Sequence, residues 1–396
     1  WIRVAEHPNA WTQDEGKPKS LAYAEAIKKA KIDIITCPSS GFHDPVENDG
    51  FIASGKTDMV GMTTPLFADP ELVRKLQEGR PDDVIPCIAC GDCHGISMNN
   101  PPWYSTCALN PKWGLPAYQV NGFTQPRISK KVAVIGGGPA GMKAAMIAVE
   151  RGHKVTLYEK DAALGGLLKI SDNSRWRWYY KKLKEYYIHQ VEKAGVDVKL
   201  NTEATPEMIK KAKYDTILVA TGAEVVASKM KATDTKVYNI LEAYAKKDEI
   251  EKNGKNVVVI GGGKFGLEAG VGALLDGHKV TVLASGNELV EPELRGAHNM
   301  SQQEDIYRSS PDFTSVLQAT VKSINGGKVT YTDSRGSEKS IQADSVILWN
   351  GLRPRMNEAE KFFGSADEVL LVGECTGRGG TIQRTIRSAF FTASQV

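Results

Sequence analysis

The chain has 396 residues, 41% of them hydrophobic and 24% charged, with 38 glycines; this is the composition of a globular protein with room for two or three domains and sizeable cores. A formal charge of +3 over that length sets up no field that would draw a nucleic acid or a membrane surface. The sequence holds no run of 18 apolar residues and no secretory signal, which points to a soluble cytoplasmic protein whose cysteines stay reduced and form no disulfides.

The stretch CIACGDC (87–93) sets Cys87, Cys90 and Cys93 at two-residue gaps, and Cys107 follows after thirteen residues that include Asn99, Asn100, Pro101 and Pro102. Three such thiolates can wrap one corner of a small cluster while the fourth closes it from a separate loop, so a 4Fe-4S cluster is the expected metal group. The rival is structural zinc, which more commonly draws on two separated Cys-x-x-Cys pairs. His94 is read as a hydrogen-bonding or exposed side chain, since four thiols are already at hand.

KVAVIGGGPAGMKAAMIAVERGHKVTLYEK (131–160) and NVVVIGGGKFGLEAGVGALLDGHKVTVLAS (256–285) repeat one plan 125 residues apart: apolar strand, glycine turn, helix, second strand. Each carries Gly-x-Gly-x-x-Gly directly after a strand, at Gly136, Gly138 and Gly141 and at Gly261, Gly263 and Gly266. The first glycine permits the turn, the second lets a pyrophosphate approach, the third lets helix and strand pack, and the helix N-terminus holds the phosphates. Glu159 ends the second strand of the first copy, where an acid binds ribose hydroxyls of FAD or NAD; the second copy has Ala284 and Ser285 there. The two turns are therefore expected to hold different dinucleotides. Loss of the acid removes repulsion against a 2′-phosphate, leaving NADH and NADPH both open, and Arg295 lies too far along the chain to be assigned to that phosphate.

Between the copies, RWRWYYKKLKEYYIHQ (175–190) has the spacing of a long amphipathic helix with Tyr179, Leu183, Tyr187 and His189 inward or flanking, in preference to a base-stacking surface. YDTILVATGAE (214–224) reads as a strand ending at Thr221 and Gly222. ADSVILWNGLRP and LLVGECTGRGGTIQRTIRSAFFTASQV, within 343–396, read as a strand, a glycine turn and a closing helix. These segments resemble those that return the chain to the FAD domain in flavoproteins of the disulfide reductase kind. The resemblance implies FAD at Gly136, Gly138, Gly141, Glu159, Gly166, Thr221, Gly222, Gly373, Glu374 and Thr381, although the family more often has Asp at the place of Glu374. It implies NADH or NADPH at Gly261, Gly263, Gly266 and Ser285. Cys375, beside Glu374, is read as packing.

SGKTDMVGMTTPLFADPELVRKLQEGRPDDVIPCIACGDC (54–93), followed by the four-cysteine loop and the FAD and nicotinamide pair, resembles the multi-domain branch of the old yellow enzyme clan. That branch includes 2,4-dienoyl-CoA reductase, bacterial enoate, steroid and bile-acid reductases, and trimethylamine dehydrogenase. The resemblance implies an α/β chain: the C-terminal part of an FMN-binding (β/α)8 barrel over 1–86, an iron-sulfur segment and linker over 87–128, an FAD domain over 129–226 and 341–396, and an inserted NAD(P)H domain over 227–340. KIDIITCPSSGF (31–42) and FIASGKTDMVGM (51–62) look like barrel strands, with Cys37 read as a buried thiol. Thr63 and Thr64 stand where the family has Gly-Arg against the FMN phosphate; their hydroxyls offer hydrogen bonds without the charge.

Residues 1–86 are too few for a barrel of about 200 to 250 residues, and the chain opens on Trp1. The family places a further strand and helix where only HDPVENDG (43–50) intervenes, so residues are expected to be missing before Trp1 and near 44–50. The proton donor would lie in the absent part, and no catalytic residue is named. The implied function is reduction of a C=C bond conjugated to a carbonyl or thioester, electrons passing from NAD(P)H to FAD, to the 4Fe-4S cluster, to FMN and to a small-molecule substrate. The alternative is an amine dehydrogenase or demethylase of the trimethylamine dehydrogenase type, handing electrons to an electron-transfer flavoprotein. A non-catalytic electron-input module is a third reading, against which the barrel remnants argue. A homo-oligomer is also implied.

Overall fold

The computed structural model describes residues 18–94, 106–115, 123, 126, 128–173, 178–228, 230, 232–290, 298–377 and 380–396. Trp1, Asn99, Asn100, Pro101, Pro102, Arg295 and the start of the 175–190 run lie outside the described residues. Packing divides the chain into two units. One comprises Trp1–Lys169, Tyr179–Gly222 and Pro354–Val396; the other comprises Ile170–Trp178 and Ala223–Arg353. Among the described residues no helix is long and apolar enough to cross a membrane.

The first unit is built on a five-stranded sheet in the order Glu368–Leu371, Thr216–Val219, Lys131–Ile135, Lys154–Tyr158, Asp197–Lys199, every pairing parallel. Val132 to Ile135 and Thr216 to Val219 are buried in unbroken runs, as a parallel sheet covered on both faces requires. Helix Pro139–Glu150 packs against the closing helix Ile382–Ala393. Helix Trp178–Lys193 buries Leu183, Tyr187 and Val191, a stripe at four-residue intervals. Tyr179 packs against the same core, whereas His189 is half-exposed.

The second unit repeats the plan beyond the thirty residues in which the sequences match. Its parallel sheet runs Lys236–Asn239, Ser345–Leu348, Asn256–Ile260, Lys279–Leu283, Phe313–Val316, so each strand has its counterpart at the same place in the first sheet. A four-stranded sheet of Glu338–Gln342, Lys328–Thr332, Thr320–Asn325 and Ala232–Thr233 is added to it. Ser345–Leu348 is an inner strand of the second sheet. The return to the first unit, expected at 341, therefore comes at Pro354.

The barrel expected over 1–86 is not formed by the described residues. The segments read as strands share one parallel bridge, Ser39 with Gly61, supported by Met59 N donating to Thr36 O (3.1 Å), Gly61 N to Pro38 O (2.9 Å) and Thr36 N to the Asp58 carboxylate (2.8 Å). Phe51, Ile52 and Ala53, read as the start of a strand, belong instead to helix Pro45–Ala53, which Asp44 caps by accepting from Val46 N and Glu47 N, with Pro45 in its first turn. That helix occupies the interval where an absent strand was expected, and the segments on either side of it pair directly. A parallel strand needs a sheet to join and cover on each face. Ile32, Ile34 and Ile35 are instead 55%, 56% and 76% exposed. Cys37 is exposed, not buried.

A buried carboxylate fastens the segment ahead of the cysteines. Asp83 accepts from Arg80 (2.7 Å), Gln190 (3.0 Å), His189 (3.3 Å) and Lys193, the last three on helix Trp178–Lys193. Burial by itself would raise the Asp83 carboxyl, but the hydrogen bonds from Lys193, Arg80, Gln190 and His189 outweigh it and hold the group well below the usual carboxylate range. A depressed carboxylate stabilises the fold fully above its unfolded value of about 4 and loses that contribution as pH falls further. Asp83→Asn should lower stability by about 1 to 2 kcal/mol at neutral pH and flatten the acid limb below about pH 4, both read from denaturant midpoints across pH.

Candidate cofactor sites

Gly136 leaves the end of strand Lys131–Ile135 at φ +105°, its N donating to Tyr158 O (2.8 Å). A β-carbon there would meet Ala220 O at 2.5 Å, and one on Gly141 would meet Gly136 O at 1.8 Å. Helix Pro139–Glu150 starts behind Gly138 with no side-chain cap, which leaves its first amides for a ligand. Gly166 arrives from the loop after the second strand; a β-carbon on it would touch Gly138 Cα at 2.9 Å. Glu159 is buried and tied to the turn, one oxygen accepting from Gly137 N (2.7 Å) and the other from Asp161 N (2.9 Å).

Thr221 and Gly222 follow Ala220 directly, with Gly222 at φ +74° and its carbonyl accepting from Arg355 N. Gly373, at φ +76°, lies against the first turn of the same helix, where its β-carbon would sit 2.6 Å from Ala140 Cβ. Glu374 accepts from Gly380 N, and Thr381 spends its hydroxyl on capping helix Ile382–Ala393 through Arg384 N (3.2 Å). Cys375 is buried with its Sγ 3.3 Å from Val219 O and from Val372 O, a packed thiol as expected.

The second turn copies the first. A β-carbon on Gly266 would meet Gly261 O at 2.0 Å, and one on Gly261 would meet Trp349 O at 2.2 Å; Gly263 N donates to Leu289 O (2.8 Å). Where the Glu159 carboxylate approaches Gly137, the Ala284 methyl approaches Gly262, and Ser285 is exposed. The motif search missed Trp349, whose ring lies 4.8 Å from that of Phe265 beside this turn. The signal was available: ILWNG (347–351) stands to the second turn as LVATG (218–222) stands to the first.

Cys87, Cys90, Cys93 and Cys107 line one pocket, together with His43, Thr64, Ala68 and Leu109. Left-handed Ala89 (φ +50°) and Gly91 (φ +79°) fold the three close cysteines around it. Asp69 accepts from Ile85 N (2.9 Å) just ahead of them, Asn110 Nδ2 donates to Phe67 O (2.9 Å) just beyond Cys107, and Gln383 of the closing helix donates to Thr106. Burial pushes all four thiols up, Cys93 to about 12 and Cys107 to about 11; at Cys90, Asp92 and the neighbouring thiols add to it. Such sulfurs become thiolates when a bound cation compensates them.

The donor set fits an iron-sulfur cluster. Structural zinc more commonly draws on two separated Cys-x-x-Cys pairs than on three close cysteines and a distant fourth. The threonines expected to face an FMN phosphate do not make a cradle for one. Thr63 is exposed, and Thr64 lines the cysteine pocket with its hydroxyl 3.2 Å from His43 Nδ1.

Residues 130–367 match the pyridine nucleotide-disulphide oxidoreductase pattern, the stretch that holds both glycine turns, the second parallel sheet and all of the first but its edge strand Glu368–Leu371. The chain belongs to that family. Within it, the chain is 32% identical over 342 residues to cinnamate reductase of Clostridium sporogenes, covering 83% of this chain and 48% of the relative. It is 32% identical over 385 residues to NADH oxidase of Thermoanaerobacter brockii, covering 94% and 57%. The structure of 2-naphthoyl-CoA reductase with 2-naphthoyl-CoA superposes with a TM-score of 0.85 at 29% identity, over 98% of this chain and 58% of that one. The resemblance to the old yellow enzyme clan holds, and the chain spans about half the length of the curated relatives it matches.

The close approach at the first turn is testable. Gly141→Ala should cost about 1 to 3 kcal/mol by overpacking, whereas Gly50→Ala, which meets nothing within 4 Å inside helix Pro45–Ala53, should be neutral or stabilising; chemical denaturation of both variants separates the two.

Proposed function

We propose that this chain takes electrons from NADH or NADPH at the second glycine turn, passes them to FAD at the first, and delivers them to a 4Fe-4S cluster on Cys87, Cys90, Cys93 and Cys107, in an enzyme that reduces an activated C=C bond. The observation that carries the reading is the joining of thiols and FAD turn within one unit, where Gln383, on the helix that begins behind Thr381, holds Thr106 beside Cys107. When bound, FAD exchanges electrons in pairs with a nicotinamide and singly with a cluster.

The chain's own residues do the holding. Uncapped amides of helix Pro139–Glu150 receive the FAD pyrophosphate, the anchored Glu159 presents its remaining lone pairs to ribose hydroxyls, and Gly373 with Glu374 lies against the same helix start. At the second turn, Ala284 sets no carboxylate against a 2′-phosphate, so NADPH is admissible beside NADH. Ser285 stands exposed next to it.

The names cinnamate reductase and 2-naphthoyl-CoA reductase support a conjugated acid or thioester as the substrate class. The resemblance implies FMN as the carrier beyond the cluster, and the described residues do not build its site. The amine dehydrogenase reading is weaker, because an enzyme without nicotinamide input has no use for an intact second glycine turn.

Purified protein, analysed for iron, sulfide and flavin, should contain about four irons per chain, and its flavin should bleach rapidly when mixed anaerobically with NADH or NADPH. Cys90→Ser should lose iron while flavin bleaching survives. Full cofactor content with no reduction by either nicotinamide would sink the reading, and an amine with an electron-transfer flavoprotein acceptor would be tried next.

A further inference from the structure

The two glycine turns also differ on the side away from the acid position. In the first unit Ala140 stands on the helix start and Ala220 on the neighbouring strand end, and a β-carbon on Gly373 would stand 2.6 Å from the Ala140 methyl. The matching places in the second unit hold Phe265 and Trp349. Two alanines are thus exchanged for two aromatic side chains, and the two rings meet, their centroids 4.8 Å apart and their planes tilted by 39°. The indole also lies along the helix start. A β-carbon on Gly266 would be 3.7 Å from Trp349 Cδ1, and one on Gly261 would be 3.2 Å from Trp349 Cβ.

Both rings are only half-buried, so apolar surface that gains by leaving water is kept at the mouth of the turn. The close approach of strand and helix does not call for it, because Ala220 closes on Gly136 with a methyl. Sheet order says which part of a ligand would meet these rings. Strand Lys279–Leu283, which runs into Ala284, lies on one side of Asn256–Ile260, and strand Ser345–Leu348, which runs into Trp349, lies on the other. A dinucleotide crossing such a turn keeps its pyrophosphate at the helix start and its adenosine on the side of the acid position. Its other half then extends towards Trp349.

We propose that Trp349, backed by Phe265, is the wall against which the nicotinamide half of NADH or NADPH packs. The proposal rests on the reading of the second turn as the nicotinamide dinucleotide site. A planar ring laid on an indole gains dispersion, and the oxidised nicotinamide, a cation, gains the attraction of the ring face as well. The contact is made at the end of the ligand remote from the 2′-phosphate, so it serves either coenzyme.

The test is calorimetric titration of the full chain, its flavin oxidised, with NAD+ and NADP+ and with ADP-ribose and 2′-phospho-ADP-ribose, which lack the nicotinamide. Trp349→Ala should weaken binding of the oxidised dinucleotide about tenfold, the scale of one ring stacked on an aromatic side chain, and leave binding of the matching ADP-ribose unchanged. Trp349→Phe should keep most of the affinity. Equal weakening of both ligands would make Trp349 a residue that shapes the turn, and unchanged binding of both would leave it no part in the site; either result overturns the proposal while the site stands. Wild type that binds none of the four would overturn the reading of the second turn and the proposal with it. Should Trp349→Ala fail to fold, by its thermal midpoint and flavin content, Trp349→Leu keeps apolar volume over Gly266 without a flat ring and carries the same comparison.

Discussion

A β-carbon on Gly141 would stand 1.8 Å from the Gly136 carbonyl oxygen, and one on Gly266 would stand 2.0 Å from that of Gly261. In both units, then, the helix meets the strand backbone to backbone, with no side chain between them. That approach sets the helix N-terminus above the strand end, where its amides can serve a pyrophosphate. The remaining parts of the first candidate site are fitted to it: Ala220 closes on Gly136, Gly166 on Gly138, Gly373 on Ala140. The same contact recurs in the second unit with Trp349 in place of Ala220. One constraint on backbone volume thus shapes the turn at the centre of both parallel sheets.

Against that common frame, the difference between the copies is local and electrostatic. Glu159 offers a carboxylate to the turn it is bonded to, and Ala284 offers a methyl at the matching place. The cysteine pocket adds a second kind of electrostatics to the first unit. Four partly to fully buried thiols, whose burial disfavours ionisation, make a site in which a cationic core would be strongly attracted to the thiolates it forms. The Asp83, Asp69 and Asn110 side chains hold the two cysteine-bearing segments through hydrogen bonds to residues other than the cysteines.

The segment ahead of the cysteines shows how a strand-like sequence fares without a complete sheet around it. KIDIITCPSSGF has the apolar content of a buried parallel strand, yet it shares a single bridge with the 57–61 segment, and its isoleucines face outward. Strand propensity reports the fit of a side chain to a pleated, covered surface, and the cover is a tertiary property.

The glycine turns, their strands and helices, the missing acid at Ala284 and the grouping of the cysteines were legible in the residues, because each depends on neighbours a few positions apart and on residue types with narrow conformational or chemical roles. So was the burial of Leu183 and Tyr187, which follows from helical spacing. Other features depended on contacts between distant segments. Ser345–Leu348 joins the second sheet because it pairs with Asn256–Ile260, a choice its own apolar sequence does not record. Thr64 meets an imidazole because the fold brings it to His43, 21 positions away in the chain. Cys37 is exposed because its segment enters no complete sheet among the described residues, and Phe51 is helical because Asp44 and Pro45 start a helix just upstream. Local chemistry determined the turns and the ligand types; the tertiary structure alone decided which sheet a strand entered and which atom a hydroxyl met, since those depend on the free energy of contacts that no local pattern contains.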